Sequence, residues 1–302
     1  MDYRGGMMPL IYAHRGSSAH FAEHTRAAYL QAIADGADGV ECDLQLSADG
    51  ELVLLHDETV DRTSNGSGPL AQQTLAQLQE LDFCSWKDAT VPLQYGSVRE
   101  QLLTLEALLD ILSGAGRQIG LAIEFKYAIP QAPADRAAAR DKTSAGDRSL
   151  EERTLQVLRA RGWQPEDSRA GNIVVSFMSF NPDSMRHLAA TIPGRSLCAL
   201  LEDVAVEDDL AEDADGDTPA AMLRSIMAAG ERLIDDAVTG LAGPGVAYVR
   251  AHPDRVRHWA DAGTRLRIWT VNDTQDARFC LSLGVHELTT DAPAGLRAAL
   301  TR

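Results

Sequence analysis

The chain of 302 residues has little positive charge: 28 lysines and arginines stand against 44 aspartates and glutamates, which gives a formal net charge of −16. Proteins that bind nucleic acids usually carry a basic stripe that neutralises phosphates. A chain this acidic repels polyanions, so we expect no nucleic-acid partner. The remaining composition, 45% hydrophobic and 24% charged residues, is typical of a globular protein with a full core.

Long apolar runs and closely spaced cysteines are also lacking. No stretch reaches the roughly 18 apolar residues of a membrane-spanning helix, so we expect no stable membrane insertion. The apolar run before Ala13 is too short and too late for a signal peptide. Cys42, Cys84, Cys198 and Cys280 are far apart, which argues against a zinc site or a redox motif. We expect reduced cysteines, no cleaved leader and a cytoplasmic location.

Short apolar runs rich in β-branched residues alternate with longer amphipathic stretches, as in parallel strands covered by helices. Eight such runs predict strands over residues 10–13, 40–43, 121–126, 173–177, 196–201, 237–241, 266–271 and 287–290. Eight strand and helix units in series favour an α/β protein built as one (β/α)8 barrel, or TIM barrel, over residues 1–302. The alternative, an open doubly wound sheet, lacks its GxGxxG turn, because HRGSSAHF follows the first strand.

Three segments interrupt this alternation. In residues 44–57, LQLSADGELVLLHD, an Ala-Asp-Gly turn between two apolar runs predicts a β-hairpin that returns His56 towards Glu41 and Asp43. Residues 57–102 are too long for an ordinary βα loop and predict a small insertion subdomain over the barrel rim.

The third segment, residues 202–217, has nine acidic residues and no basic one, which predicts a solvated acidic loop. Asp213, Asp215 and Asp217 resemble the start of an EF-hand loop. Thr218 stands in place of the required glycine and Arg224 in place of the final glutamate, so we predict no calcium loop there.

Polar residues collect at the predicted carboxyl ends of the strands, where the loops of a barrel build its site. They are His14, Arg15, Gly16, Glu41, Asp43, His56, Asp57, Glu124, Lys126, Trp269 and Asn272. Strand side chains alternate between faces, so Glu41 and Asp43 point the same way. With Glu124 they make three carboxylates in one small space, which are stable only when protonated or bridged by a cation. A set of oxygen ligands suits Ca²⁺ or Mg²⁺. We therefore expect a divalent metal.

The remaining histidines show no ligand spacing and are predicted to be surface or packing residues: His20, His24, His187, His252, His258 and His286. A lone histidine at a strand end is also more often structural than catalytic. For His14, the neighbouring polar residues favour function.

The sequence resembles the glycerophosphodiester phosphodiesterase family from end to end. The motifs are AHRGSSAHFAEHT, VECDLQLSADGELVLLHDETVDRTSNGSG, TLAQLQELD, TLEALLDIL, AIEFK, VVSF, IWTVN and TTDAP. The resemblance implies a (β/α)8 barrel with an insertion, here residues 57–102. It also implies metal-assisted hydrolysis of glycerophosphodiesters, such as glycerophosphocholine, to glycerol 3-phosphate and an alcohol.

The resemblance assigns roles by position. It implies that His14 and His56 are the catalytic pair; that Glu41, Asp43 and Glu124 bind the metal; and that Arg15 and Lys126 contact the phosphate. Trp269 is implied to line the pocket, and Glu23 matches the glutamate of the family's Pro-Glu-Asn-Thr motif. Ala22 and His24 replace the proline and asparagine of that motif.

Several alternatives stay open at this stage. A lysophospholipase D shares the barrel and site but needs an apolar groove for an acyl chain. A metal-dependent sugar-phosphate isomerase leaves His14 next to Arg15 unexplained, and a non-catalytic barrel would be expected to have lost a site residue. The sequence also leaves open which histidine is the acid, whether water or a substrate hydroxyl attacks phosphorus, and the oligomeric state.

Overall fold

The computed structural model describes residues 8–127, 148–204 and 219–301. Strands in these residues are β1 (Leu10–Ala13), β2 (Gly39–Leu46), β3 (Leu52–Leu54), β4 (Ile119–Phe125), β5 (Arg169–Ala170), β6 (Ile173–Ser179), β7 (Leu197–Leu201), β8 (Leu241–Pro244), β9 (Arg265–Ile268) and β10 (Glu287–Thr290). Eight of them pair in parallel in the order β1, β2, β4, β6, β7, β8, β9, β10, and β10 pairs again with β1. The predicted closed (β/α)8 barrel is confirmed.

Helices cover the outside of this barrel. They are α1 (Arg26–Ala34), α2 (Leu75–Leu78), α3 (Leu105–Ser113), α4 (Ser149–Ala160), α5 (Pro182–Ala189), α6 (Pro219–Asp235), α7 (Val246–Ala251), α8 (Pro253–Asp261), α9 (Thr274–Ser282) and α10 (Pro293–Leu300). Several begin at a polar residue that caps the first turn. Thr25, Thr104 and Asp273 each accept a hydrogen bond from a backbone N–H of the helix that follows.

The predicted strand at residues 237–241 is misplaced, because β8 begins only at Leu241. Ala237 has a left-handed φ of 54°, and the N–H of Val238 bonds to the carbonyl of Leu233 at the end of α6. The apolar residues before Leu241 therefore form the turn that ends a helix. The strand itself reads LAGP, and glycine and proline are poor strand formers, which hides it from a search for β-branched runs.

The predicted hairpin is present: β3 runs antiparallel to β2, with Leu44 opposite Leu54. Residues 57–102 then form α2 and the short 3-10 helices Leu70–Gln72, Ser85–Lys87, Leu93–Tyr95 and Val98–Glu100. A small apolar cluster that includes Val60, Leu70, Leu78 and Phe83 packs beneath them on Val53 and Leu55 of the hairpin.

Two other sequence predictions concern residues that the structure does not describe. The acidic stretch is described only for Glu202, Asp203 and Val204, and Asp213, Asp215 and Asp217 lie outside the described residues. Residues 128–147 lie outside them as well. In the described ranges, no helix combines the length and apolarity needed to cross a membrane, and all four cysteines are buried and unpaired.

A buried ion pair stabilises the interior of the barrel. The Nε of Arg267 on β9 donates to Glu287 Oε2 on β10 over 2.6 Å. These residues are 2% and 0% exposed. Arg267 also donates to Ser176 Oγ over 2.9 Å, and its guanidinium lies 4.2 Å from the centre of the Tyr12 ring. A charge removed from water in this way depends on its partner.

We expect Glu287→Gln to lower the free energy of unfolding by roughly 3–5 kcal/mol, because it leaves Arg267 buried without a counter-charge. Urea denaturation followed by circular dichroism measures this loss. Glu80→Gln is the control, since Glu80 pairs with Arg99 where both side chains are about 70% exposed, and such pairs contribute roughly 0–1 kcal/mol. Equal losses in the two variants would contradict the prediction.

Candidate active site

Three carboxylates meet at the carboxyl ends of β2 and β4. Alternation along β2 turns Glu41 and Asp43 into the barrel mouth, and Asp43 lies beside Glu124 in the register of the two strands. One carboxylate oxygen from each of the three residues lies within 4.8 Å of the others. Glu41 and Asp43 are 1% exposed and Glu124 is 8% exposed.

The surroundings of the three carboxyl groups shift their pKa values in different directions. Burial, with the nearby charges of Asp43 and Glu124, raises the pKa of Glu41 well above its usual range. The same causes, burial and Asp43, raise the pKa of Glu124 to about 7. Burial would also raise the pKa of Asp43, but the hydrogen bond with His24 and the charge of Lys126 outweigh it and hold that pKa well below its usual range. Without a cation, the cluster carries less than its full negative charge.

The cluster fits a hard divalent cation. Glu41 Oε1 and Asp43 Oδ1 are buried and accept no hydrogen bond from any residue that the structure describes. Buried acceptors of this kind are rare and call for an explanation. An oxygen-only donor set suits Ca²⁺ or Mg²⁺, and a bound cation would satisfy both oxygens and favour the ionised carboxylates.

A tight turn after β1 places Arg15 beside this cluster. Arg15 has a φ of 55° and Gly16 a φ of 83°, and a Cβ on Gly16 would lie 2.7 Å from the backbone carbon of Ala28. Only glycine fits there. The turn directs the Arg15 N–H to Glu41 Oε2 over 3.0 Å, and the Arg15 guanidinium donates to Glu23 over 2.9 Å.

His14 is oriented by a carboxylate from the last strand. Its Nδ1 lies 2.7 Å from Asp291 Oδ1. Asp291 follows β10 and also accepts from Ser18 over 3.0 Å and from Asn272 over 2.6 Å. Burial opposes ionisation of Asp291, but the hydrogen bond with His14 prevails and lowers its pKa to about 2. Asp291 is not among the site residues predicted from the sequence, although it follows the end of a predicted strand within the TTDAP motif.

His56 has a matching arrangement. Its Nδ1 lies 2.7 Å from Asp57 Oδ1, and Arg62 donates to Asp57 over 2.6 and 3.0 Å. The hydrogen bonds from Arg62 are the main cause that lowers the pKa of Asp57 to about 2. Burial lowers the pKa of His56, against the opposing charge of Asp43. In both histidines the Nδ1 contact leaves Nε2 for a ligand.

Arg62 joins the two sides of the site. Besides Asp57, it donates to both oxygens of Glu23, each over 2.8 Å, and Glu23 in turn accepts from Arg15. Burial opposes ionisation of Glu23, but the hydrogen bonds from Arg62 and the charge of Arg15 outweigh it and lower its pKa to about 2. Glu23 therefore acts through Arg15 and Arg62. Arg62 lies in the insertion, and no periodicity in the sequence marks it.

His24, which the sequence predicts to be a surface or packing residue, is buried beside the carboxylate cluster. His24 is 3% exposed; its Nε2 lies 2.8 Å from Asp43 Oδ2 and its Nδ1 lies 2.9 Å from the Tyr29 hydroxyl. Tyr29 donates to the carbonyl of Glu41 over 3.0 Å. The φ of His24 is 60°, a conformation in which asparagine and histidine are enriched. His24 therefore adopts a left-handed turn conformation and contacts Asp43.

The other predicted site residues border one cavity of about 570 Å³. Lys126 donates to Glu124 over 2.9 Å, and Trp269 lies across the cavity with its Nε1 bonded to the carbonyl of Gly243 over 2.7 Å. His14, Arg15, Glu41, His56 and Glu124 line the same space. The other histidines that the sequence analysis set aside, His20, His187, His252, His258 and His286, are exposed.

A (β/α)8 barrel whose mouth combines a carboxylate cluster with two histidines and two basic side chains defines a class of phosphate-handling enzymes. The model of the glycerophosphoryl diester phosphodiesterase family matches residues 14–295. A probable glycerophosphodiester phosphodiesterase 1 of Mycobacterium tuberculosis is 31% identical over 97% of this chain and 92% of its own. A glycerophosphodiester phosphodiesterase of Bacillus subtilis is 28% identical over 94% and 84%.

Solved structures show the same fold. A phosphodiesterase of Oleispira antarctica in complex with the product sn-glycerol-3-phosphate has a TM-score of 0.70 at 23% identity and covers 98% of each chain. A glycerophosphodiester phosphodiesterase of Thermotoga maritima has a TM-score of 0.63 at 18% identity, over 98% of this chain and 100% of its own. This chain belongs to the glycerophosphoryl diester phosphodiesterase family.

We expect Arg62→Gln to reduce the turnover of a glycerophosphodiester by on the order of 10²-fold, because small displacements of positioned groups cost about this much. The loss arises in His56 and Arg15 together, since Arg62 holds the carboxylate partner of each. Steady-state kinetics on glycerophosphocholine measure it. Arg153→Gln is the matched control. Arg153 forms an ion pair of 3.5 Å with Glu51, and neither residue lines the cavity. Similar turnover in the two variants would contradict the role of Arg62.

Proposed function

We propose that this enzyme hydrolyses glycerophosphodiesters, such as glycerophosphocholine or glycerophosphoethanolamine, to sn-glycerol 3-phosphate and an alcohol. The observation that carries the proposal is the pairing of two histidines, each bound through Nδ1 to its own carboxylate, with a buried carboxylate cluster in one cavity. Family membership and the glycerol phosphate product bound by the Oleispira relative support the same reaction. A sugar-phosphate isomerase would leave the second histidine without a task.

The residues of the site divide the work of phosphodiester hydrolysis. Arg15 and Lys126 neutralise charge on the non-bridging oxygens of the phosphate. One of His14 and His56 accepts the proton of the attacking hydroxyl through Nε2, and the other donates a proton to the departing alcohol. Asp291 and Asp57 fix the ring orientations of His14 and His56 through their contacts with Nδ1. Glu23 and Arg62 hold Arg15 and Asp57 in place.

We infer that Glu41, Asp43 and Glu124 hold a divalent cation. When bound, such an ion supplies Lewis-acid stabilisation of the charge that develops on the phosphate oxygens. The low pKa of Asp43 supports this role, because one ligand is already ionised in the unliganded protein. The hydrogen bond between His24 Nε2 and Asp43 Oδ2 holds Asp43 in its orientation.

His14→Ala and His56→Ala are each expected to reduce turnover by roughly 10²-fold to 10⁴-fold, the usual contribution of a general acid or base. Neither histidine belongs to the buried core, so little loss of folding stability is expected. Phosphodiesterase assays and thermal denaturation of the same preparations separate the two effects. His187→Ala changes an exposed histidine and serves as the control. Full turnover by either active-site variant would refute the assignment.

Removal of divalent ions with EDTA is expected to abolish turnover, and Ca²⁺ or Mg²⁺ is expected to restore it. Binding to the native state should also raise the melting temperature, with about 2.7 kcal/mol of stabilisation at a cation concentration 100 times the dissociation constant. Asp43→Asn should lose this shift, whereas Glu80→Gln, a charge removal at an exposed site, should keep it. Turnover indifferent to EDTA and a melting temperature indifferent to both ions would contradict the metal site.

A further inference from the structure

We propose that Tyr29 of helix α1 is a positioning residue for the metal site: through His24, it holds the side chain of Asp43 in place within the carboxylate cluster. This inference rests on the divalent cation that we infer for Glu41, Asp43 and Glu124. Tyr29 is 0% exposed and does not line the active-site cavity. It can therefore influence the reaction only through other residues.

The hydroxyl of Tyr29 makes two contacts in the protein interior. It donates to the main-chain carbonyl of Glu41 over 3.0 Å, and Nδ1 of His24 lies 2.9 Å from it. Since His24 is also buried, water does not compete for either contact. A phenylalanine would supply the same apolar ring, so packing alone does not explain a buried hydroxyl at this position. The hydroxyl is the part of Tyr29 that orients His24.

His24 connects this hydroxyl with the carboxylate cluster. While Nδ1 contacts Tyr29, Nε2 lies 2.8 Å from Asp43 Oδ2. With both nitrogens in contact, the imidazole ring cannot rotate without losing one of its partners. Arg15 Nε also lies 3.2 Å from Asp43 Oδ2, so this oxygen has two nitrogen neighbours. The other oxygen, Asp43 Oδ1, accepts no hydrogen bond from any residue that the structure describes, which leaves it for a cation.

The start of α1 gives His24 and Tyr29 a fixed separation. His24 directly precedes Thr25, the residue that caps the helix. The N–H of Tyr29 donates to the carbonyl of Thr25 over 3.2 Å, and the N–H of His24 donates to the carbonyl of Arg15 over 3.0 Å. Main-chain hydrogen bonds therefore hold both residues, and the contact between their side chains does not depend on a mobile loop.

Residues that orient a metal ligand change the affinity for the metal, and their loss usually costs about 10-fold to 100-fold. We therefore expect Tyr29→Phe to raise the dissociation constant of Mg²⁺ or Ca²⁺ by about this factor. His24→Asn should have a similar effect. The amide atoms of asparagine correspond to Nδ1 and Cδ2 of the imidazole, and no atom corresponds to Nε2, so Asp43 loses its contact.

Isothermal titration calorimetry on the full chain measures these dissociation constants. Each protein is treated with EDTA, desalted and titrated with MgCl2 or CaCl2 without substrate, so that the measurement is independent of turnover. Tyr248→Phe is the matched control, because Tyr248 is 2% exposed, donates to Glu231 and does not line the cavity. This variant also loses a buried hydroxyl, but it should keep the wild-type dissociation constant.

The double variant tests whether Tyr29 acts through His24. If it does, both substitutions remove the same series of contacts. Tyr29→Phe should then change the dissociation constant by less than about threefold when His24→Asn is already present. Two independent effects would instead multiply, to roughly 10²-fold to 10⁴-fold. Turnover of glycerophosphocholine by Tyr29→Phe should recover as the metal concentration is raised, because His14 and His56 are unchanged.

The possible results separate this inference from the proposed function. If the wild type binds the metal and Tyr29→Phe binds it equally well, the inference is overturned, whereas the metal site and the proposed hydrolysis stand. Multiplying effects in the double variant would overturn the route through His24. If circular dichroism shows that Tyr29→Phe does not fold, an unchanged dissociation constant in His24→Asn would still overturn the inference.

The wild type provides the remaining comparison. Absence of metal binding by the wild-type chain would overturn both the metal site and the role of Tyr29. The assay of glycerophosphocholine hydrolysis by the same preparation then decides separately whether the proposed function holds.

Discussion

The repulsion among three buried carboxylates is the constraint on which the rest of the site depends. Glu41, Asp43 and Glu124 stand where water cannot solvate their charges, and such a cluster is stable only with protons, positive neighbours or a cation. The structure provides positive neighbours at the open side of the cluster, where Arg15 and Lys126 lie. From within the fold His24 contacts Asp43 by a hydrogen bond, and burial lowers the pKa of this histidine. The two oxygens without a hydrogen bond leave a place for one more positive group.

Arg15 is itself held by an acid outside the cluster. Glu23 holds Arg15, and Arg62 links Glu23 to Asp57 and through it to His56. A continuous series of contacts therefore connects Arg15, which follows β1, with His56, which follows β3. Its members are charged, and the low pKa values of Glu23 and Asp57 keep them so at neutral pH. Within residues 57–102, Arg62 thus connects the carboxylate partner of Arg15 with that of His56.

The cavity that this charged network borders is also lined by apolar side chains, among them Met178, Leu200 and Trp269. These two kinds of side chain are stabilised differently. A buried charged group needs hydrogen bonds or an opposite charge, whereas an apolar side chain is stabilised when water is excluded from it. Leu223 and Ile226 of helix α6 line the cavity and also pack on the apolar core of the barrel.

How far the sequence predicts this protein depends on the range of the interactions involved. The alternation of apolar runs predicted the barrel, because strand and helix periodicity is local, and it failed at β8, where LAGP lacks β-branched residues. Alternation on β2 placed Glu41 and Asp43 on one face correctly. The EF-hand-like aspartates, the acidic loop and the bounds of the insertion subdomain stay predictions.

The sequence by itself determined the fold class, the family and the types of residue at the strand ends. The tertiary structure alone decided which of them meet. Asp291 reaches His14 across 277 positions and Arg62 reaches Glu23 across 39, and His24, expected to be a packing or surface residue, lies against Asp43. Hydrogen bonds and ion pairs form between groups a few ångströms apart in space. Local periodicity in the sequence does not predict which distant segments the fold brings that close. The side chains of α6 that line the cavity likewise meet those of β6 and β7 only in the folded chain.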